Sequence, residues 1–212
     1  MRMVQELTQA LTRILFLRKI QDYPQATQEI EGVLMRFWKL TPEQVKTFSV
    51  EQWIAQCQLE EGPMGEKLVA LAELFREQGE LYELEGNFPE SQRSAGVALG
   101  LFLEAVTSPG TTISMDLLAK IEQLTEHAAG FPLPTEVLKR LLSYYETRGM
   151  FAKAEDVLFD WLGQDDRDAP ACGLAFYDRL TAKSDQELEK CGLPRQEVLQ
   201  GRAEVEKLAR EL

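Results

Sequence analysis

Few residues in this chain are able to hold a metal or act on a substrate. His127 is the only histidine, and Cys57, Cys172 and Cys191 are odd in number and far apart, with no Cys-x-x-Cys among them. These spacings indicate neither a His/Cys zinc site nor a disulfide framework. A di-iron bundle would need Glu-x-x-His, but Leu124 stands three positions before His127. Asp165-Asp166-Arg167-Asp168 has the look of a cation loop. A calcium loop begun at Asp166 would, however, put Pro170 fifth, and Ala171 sixth where a sharp turn requires glycine. That stretch reads as a polar loop carrying helix caps. The chain has no glycine-rich phosphate loop ending in lysine and no Gly-x-Ser-x-Gly elbow. No catalytic, cofactor-binding or metal-ligating residue is therefore expected.

Charge and hydropathy narrow the class further. The formal net charge is -12 and the sequence pI is about 4.7, so a nucleic acid would meet net repulsion. With 44% hydrophobic and 27% charged residues, the composition is that of a globular chain and not a disordered one. The longest apolar run, Ala95 to Leu103, falls well short of the roughly 20 residues needed to cross a bilayer. Ile14-Leu15-Phe16-Leu17 is too short for a secretory signal and is closed by Arg18-Lys19. The expected location is cytoplasmic, with free thiols.

The elements that would position any site are helices. Leu7, Leu11, Ile14 and Leu15 recur at helical spacing, and a second helix follows from Pro24 through Ile30, Val33, Leu34 and Phe37. Thr41 with Gln44, Ser49 with Gln52 and Ser184 with Glu187 have the spacing of capping boxes, in which side chain and backbone satisfy each other at a helix start. A long helix is expected from about Gly65 to Glu85 and another from Pro89 to Thr107. Helices over 115–127, 135–148, 152–162 and 171–181 and a charged terminal helix complete an all-α chain. Ser108-Pro109-Gly110 is the clearest internal break. It suggests an N-terminal half, 1–108, and a C-terminal half, 109–212, unless the chain forms one continuous domain. Gly96 and Gly100 are spaced for close helix packing.

Three stretches repeat one signature: an apolar helix ends, a tight turn follows, an aromatic arrives, and a small residue comes three positions later. Tyr145, Gly149, Phe151 and Ala154 carry it in full. Tyr82, Gly86, Phe88 and Ser91 carry it with serine as the small residue, and Leu17, Gln21, Tyr23 and Ala26 carry it with glutamine in place of glycine. These stretches resemble tetratricopeptide repeats, helix–turn–helix units of about 34 residues, and Gly79 fits the glycine of the first helix in that consensus. The chain as a whole looks like a bacterial family of tetratricopeptide-like proteins with no assigned activity. The small residues fall at 26, 91 and 154, about twice the repeat length apart, and the segments 41–71 and 106–134 show no repeat. The resemblance implies helical hairpins stacked into an α–α superhelix or an irregular right-handed array. It gives these residues packing roles, the aromatic filling the gap beside the turn.

It also implies a concave face lined by Arg76, Glu80 and Glu83 in one unit and by Lys139, Ser143 and Glu146 in another. Family members that clamp a terminal carboxylate use lysine and asparagine there. Glutamates in their place point to a neutral or basic ligand. The basic first helix, with Arg13, Arg18 and Lys19 beside Leu11, Leu15 and Phe16, offers two alternatives: contact with an acidic membrane surface, or pairing with this acidic protein or a second copy of it. The expected function is a non-enzymatic protein–protein interaction module, with a protein or peptide partner and a homodimer left open. The alternatives are a regulatory sensor that takes a small peptide or metabolite in the groove, and an enzyme with an unfamiliar carboxylate site.

Overall fold

A computed structural model describes residues 2–164 and 166–211, with the side chains of Arg2, Pro42 and Glu211 outside the description. The described residues form twelve α-helices and no strand. The chain divides into two compact units, Met1–Val137 and Leu138–Leu212.

In the first unit, α1 (Arg2–Lys19) and α2 (Tyr23–Trp38) form a hairpin, followed by the short α3 (Pro42–Thr47) and α4 (Val50–Gln58). Both short helices begin with the expected capping boxes: Thr41 and Gln44, then Ser49 and Gln52, bond each other reciprocally. Next come α5 (Met64–Leu84), α6 (Phe88–Thr107) and α7 (Met115–Ala128). α5 and α6 make the most extensive helix pair, and α5 also packs on α1, α2 and α4. Every residue of α6 from Ser94 to Leu103 is buried, so this stretch is enclosed on all sides and forms the centre of the unit. The turn at Ser108–Gly110 lies within this unit, between α6 and α7, which pack on each other.

Close approaches explain two of the glycines. A Cβ on Gly100 would come within 2.7 Å of the Val50 side chain, and one on Gly79 would lie 3.3 Å from the Ser91 carbonyl oxygen. α4 and α6 are thereby brought into direct contact, and α5 and α6 close against each other at the small residue of the repeat. Trp38, Trp53, Phe48 and Phe75 interlock edge to face nearby. Lys67, only 3% exposed, reaches from α5 to cap the end of α4, donating from Nζ to the carbonyls of Cys57 and Glu60, each at 2.6 Å. The adjacent Cys57 thiol is fully buried, which pushes its pKa up to about 12.

The core stripe of α1 is Met3, Leu7, Ala10 and Ile14, with Leu11 half-buried and Leu15 exposed. The apolar face is rotated from the expected one because Met3 and Ala10 complete the i, i+3, i+4 series and Leu15 falls outside it.

The division between units falls within α8 (Thr135–Thr147). The second unit continues with α9 (Phe151–Leu162), α10 (Ala169–Thr181), α11 (Asp185–Lys190) and α12 (Arg195–Glu211). Lys139 lies over the Trp161 ring and Lys153 over the Tyr145 ring. The start of α8 therefore faces the end of α9 and the reverse, an antiparallel hairpin. α10 packs on α12 and α9. The Tyr177 hydroxyl sits in the space where Gly201 has no side chain and donates to Glu155 at 2.6 Å.

The three repeated turns share one geometry. Gln21, Gly86 and Gly149 have φ of 61°, 76° and 69°. The N–H of the next residue bonds back across the turn, from Asp22 to Leu17 at 3.0 Å, from Asn87 to Tyr82 at 2.8 Å and from Met150 to Tyr145 at 2.9 Å. Each is a Schellman close, in which a left-handed residue lets the last carbonyls of a helix find donors. The small residues behind them are all buried: Ala26 and Ala154 at 0% exposure, Ser91 at 2%. The aromatics do not share one role. Phe151 is buried, Tyr23 is half-buried and Phe88 is 59% exposed. Phe88 fails to fill a gap because residues 83–89 all lie at the surface.

Candidate functional site

The charged face of α5 is built by a helical series of carboxylates and one arginine: Glu73, Arg76, Glu77, Glu80 and Glu83 stand three or four residues apart and so project to one side. α1 and α7 bring cations to this row. Lys120 of α7 reaches Glu73 at 2.5 Å and Asp116 of its own helix at 2.6 Å. Arg76 bonds Glu73 at 3.0 Å and also pairs with Glu77 and Glu80. Arg18 of α1 hydrogen-bonds Glu80 and brings Nη1 within 2.8 Å of Glu77 Oε2. That second contact is off the line of the N–H bonds and is electrostatic, leaving Oε2 without a hydrogen bond. One connected network thus runs from α7 across α5 to α1.

Burial sets the electrostatics. The Glu77 side chain is 1% exposed, and burial raises its pKa against the opposing pull of the Arg76 charge. Burial alone would lower the Arg76 guanidinium, but the carboxylates of Glu77, Glu73 and Glu80 outweigh it and hold the group above its usual value. Lys120 is raised in the same way, by Asp116 and Glu73 against its own desolvation.

Two clefts open on this face. One, of about 190 Å³, lies among α5, α6 and α7; Arg76, Glu80, Glu83, Lys120, Gln123 and His127 give it its polar lining, with Ala95 and Leu124 as apolar floor. The other, of about 390 Å³, lies between α1 and α5 and is lined by Arg18, Glu80, Glu83 and Leu84. Glu80 and Glu83 belong to both, so the clefts adjoin across the α5 ridge. Both oxygens of Glu80 are engaged, Oε1 by Arg76 and Oε2 by Arg18. Glu83 is exposed and has no hydrogen-bond or ion-pair partner among the described residues.

Of the groove residues expected from sequence, Arg76, Glu80 and Glu83 come together here. Lys139, Ser143 and Glu146 lie in the second unit. There Lys139 pairs with Asp168 at 3.2 Å, Glu146 takes both Nε and Nη2 of Arg179 at 2.6 and 2.8 Å, and Ser143 is exposed. The sequence singled out Arg18 as a cation able to pair with this acidic protein but did not connect it to the groove, and it missed Lys120 and Gln123. His127 is exposed in the last turn of α7, at the helix end expected for it, and also lines the smaller cleft. The Asp116–Lys120 spacing on α7 was the available signal.

Two of the basic α1 residues are paired internally, Arg13 with Glu29 at 3.2 Å and Arg18 as above. Asp165 lies outside the described residues. Its neighbours Asp166 and Asp168 serve as local acceptors, for Trp161 Nε1 and Lys139 respectively. No group of three or more His, Cys, Asp or Glu placed to hold a metal occurs among the described residues, and no helix among them is long and apolar enough to cross a membrane.

An all-helical chain with charged clefts on one helix face is the class this geometry defines. Over residues 1–210 the sequence matches a family of unknown function (DUF6483), and the chain belongs to that family. No curated protein and no solved structure matches it.

Proposed function

We propose that this protein acts by binding, as a tetratricopeptide-like interaction module that presents the α1–α5–α7 face of its first unit to a partner polypeptide. The observation that carries this reading is the pair of adjoining clefts sharing Glu80 and Glu83, with Glu83 left unpartnered among the described residues. The common geometry of the three turns supports the repeat-like part of the reading, and stacking of the hairpins into a superhelix goes with it. A cytoplasmic setting fits three cysteines with no disulfide among them. A metabolite sensor is less well supported: the α1–α5 cleft, about 390 Å³, has the volume of a small-molecule site, but three of the four residues that line it are charged, whereas such sites are lined mainly by apolar side chains.

Affinity capture from a cell lysate tests the proposal, with wild type and Glu83→Ala run side by side and bound proteins quantified by mass spectrometry. The expected result is a stoichiometric partner that the variant loses. A partner retained equally by both proteins, or none for either, overturns the assignment to this face.

A further inference from the structure

We propose that the paired clefts take a cationic segment of the partner polypeptide, in which a lysine or arginine neighbours an apolar residue. This rests on the interaction reading above and adds the chemistry of what is bound.

The cations on this face are already committed. Arg18, Arg76 and Lys120 are all held by carboxylates of this chain. Against these three cations stand five carboxylates, those of Glu73, Glu77, Glu80, Glu83 and Asp116, a formal excess of two negative charges. An incoming carboxylate or phosphate would have to displace carboxylates held in place by a buried network. The fully buried Glu77 lies behind both arginines, pairing with Arg76 through Oε1 and facing Arg18 through Oε2. An incoming cation displaces nothing, because Glu83, common to both clefts, has no partner among the described residues.

The apolar half of the signature comes from the linings. Leu84, 55% exposed, borders the α1–α5 cleft, and Ala95 and Leu124 floor the other. A lysine or arginine stem and its apolar neighbour lie against such surface while the charged head meets the carboxylate. A free polyamine, which needs several anions in reach, would find one uncommitted carboxylate.

The test uses the full chain and two fluorescein-labelled heptapeptides, N-acetylated and C-amidated, one alternating Leu and Lys and the other Leu and Glu. Binding is read by fluorescence anisotropy at low and high salt. The Leu–Lys peptide is expected to bind and the Leu–Glu peptide not to. Glu83→Gln, at an exposed site with no partner to lose, should weaken the Leu–Lys peptide about tenfold. Glu61→Gln, an equal charge change at an exposed residue outside both clefts, should weaken it less than about twofold.

Equal weakening by the two substitutions would overturn the proposal, since it would mean general attraction to an acidic chain. So would binding of the Leu–Glu peptide, or displacement of the Leu–Lys peptide by spermidine as readily as by its unlabelled self. If the Leu–Lys peptide fails to bind while lysate capture still depends on Glu83, the cationic class falls and the interaction reading stands.

Discussion

Arg18 Nη1 lies 2.8 Å from Glu77 Oε2, joining a half-buried cation on α1 to a carboxylate on α5 that is 1% exposed. The ion pair ties the first helix of the chain to the central one and leaves Glu77 dependent on neighbours for its charge.

Arg18→Met is therefore expected to destabilise the first unit by about 2 kcal/mol, below the full cost of breaking a buried pair because Arg18 is partly screened by solvent. Adding Glu77→Leu should recover part of that loss, since it removes a buried carboxylate left with Arg76 alone to balance its charge. Urea midpoints of the two single variants and the double variant measure this. Strict additivity would show that the two residues are not coupled.

The repeated turn gives a second expectation. Gln21 adopts a left-handed conformation that costs a side chain energy, whereas Gly149 adopts it freely. Gln21→Gly should raise stability by about 0.5–1 kcal/mol and Gly149→Ala should lower it by about 1 kcal/mol or more. Thermal melts of the two variants should shift in opposite directions, and a shift in the same direction would contradict the shared geometry.

Lys67→Met keeps the stem of the side chain but removes both bonds to the end of α4. A loss of about 2–3 kcal/mol is expected, as two carbonyls lose a charged donor. Hydrogen exchange should show the effect first at the amides of α4. Unchanged protection there would mean that water replaces the ammonium at no cost.

Glu155 accepts the Tyr177 hydroxyl in a half-buried setting with Asp156, Glu197 and Glu204 near by. Burial is the largest cause holding its pKa above the usual value, and the Tyr177 hydrogen bond only partly opposes it. The folded state thus holds the proton more tightly than the unfolded chain. The associated stability is fully present below the unfolded value of about 4.5 and is lost as pH rises through the folded one. Glu155→Gln, which keeps an acceptor for Tyr177, should be more stable than wild type at pH 7, and the difference should close on acidification. Denaturant titrations at a series of pH values would show a constant difference if the carboxyl were not the cause.

What the sequence made legible was local. The boxes at Thr41, Ser49 and Ser184 and the three turn signatures each rest on residues within one or two helical turns, so their spacing carries their structure. The clefts were only half legible. Arg76, Glu80 and Glu83 share one face of one helix, which periodicity reveals, but Arg18 and Lys120 arrive from helices distant in sequence, through packing that no short motif records. Glu77 illustrates the limit: within a row of glutamates it has the look of a solvated residue, and the helices packed around α5 leave it 1% exposed. Phe88 shows the converse, a consensus aromatic left at the surface along with the rest of its turn, residues 83–89.

The burial of Cys57 also gives the molecule its own clock. Cys172, by contrast, is exposed. A thiol reagent should mark Cys172 in the second unit at once and reach Cys57 only when the end of α4 opens, so delayed labelling would time the opening of the first unit without any introduced probe.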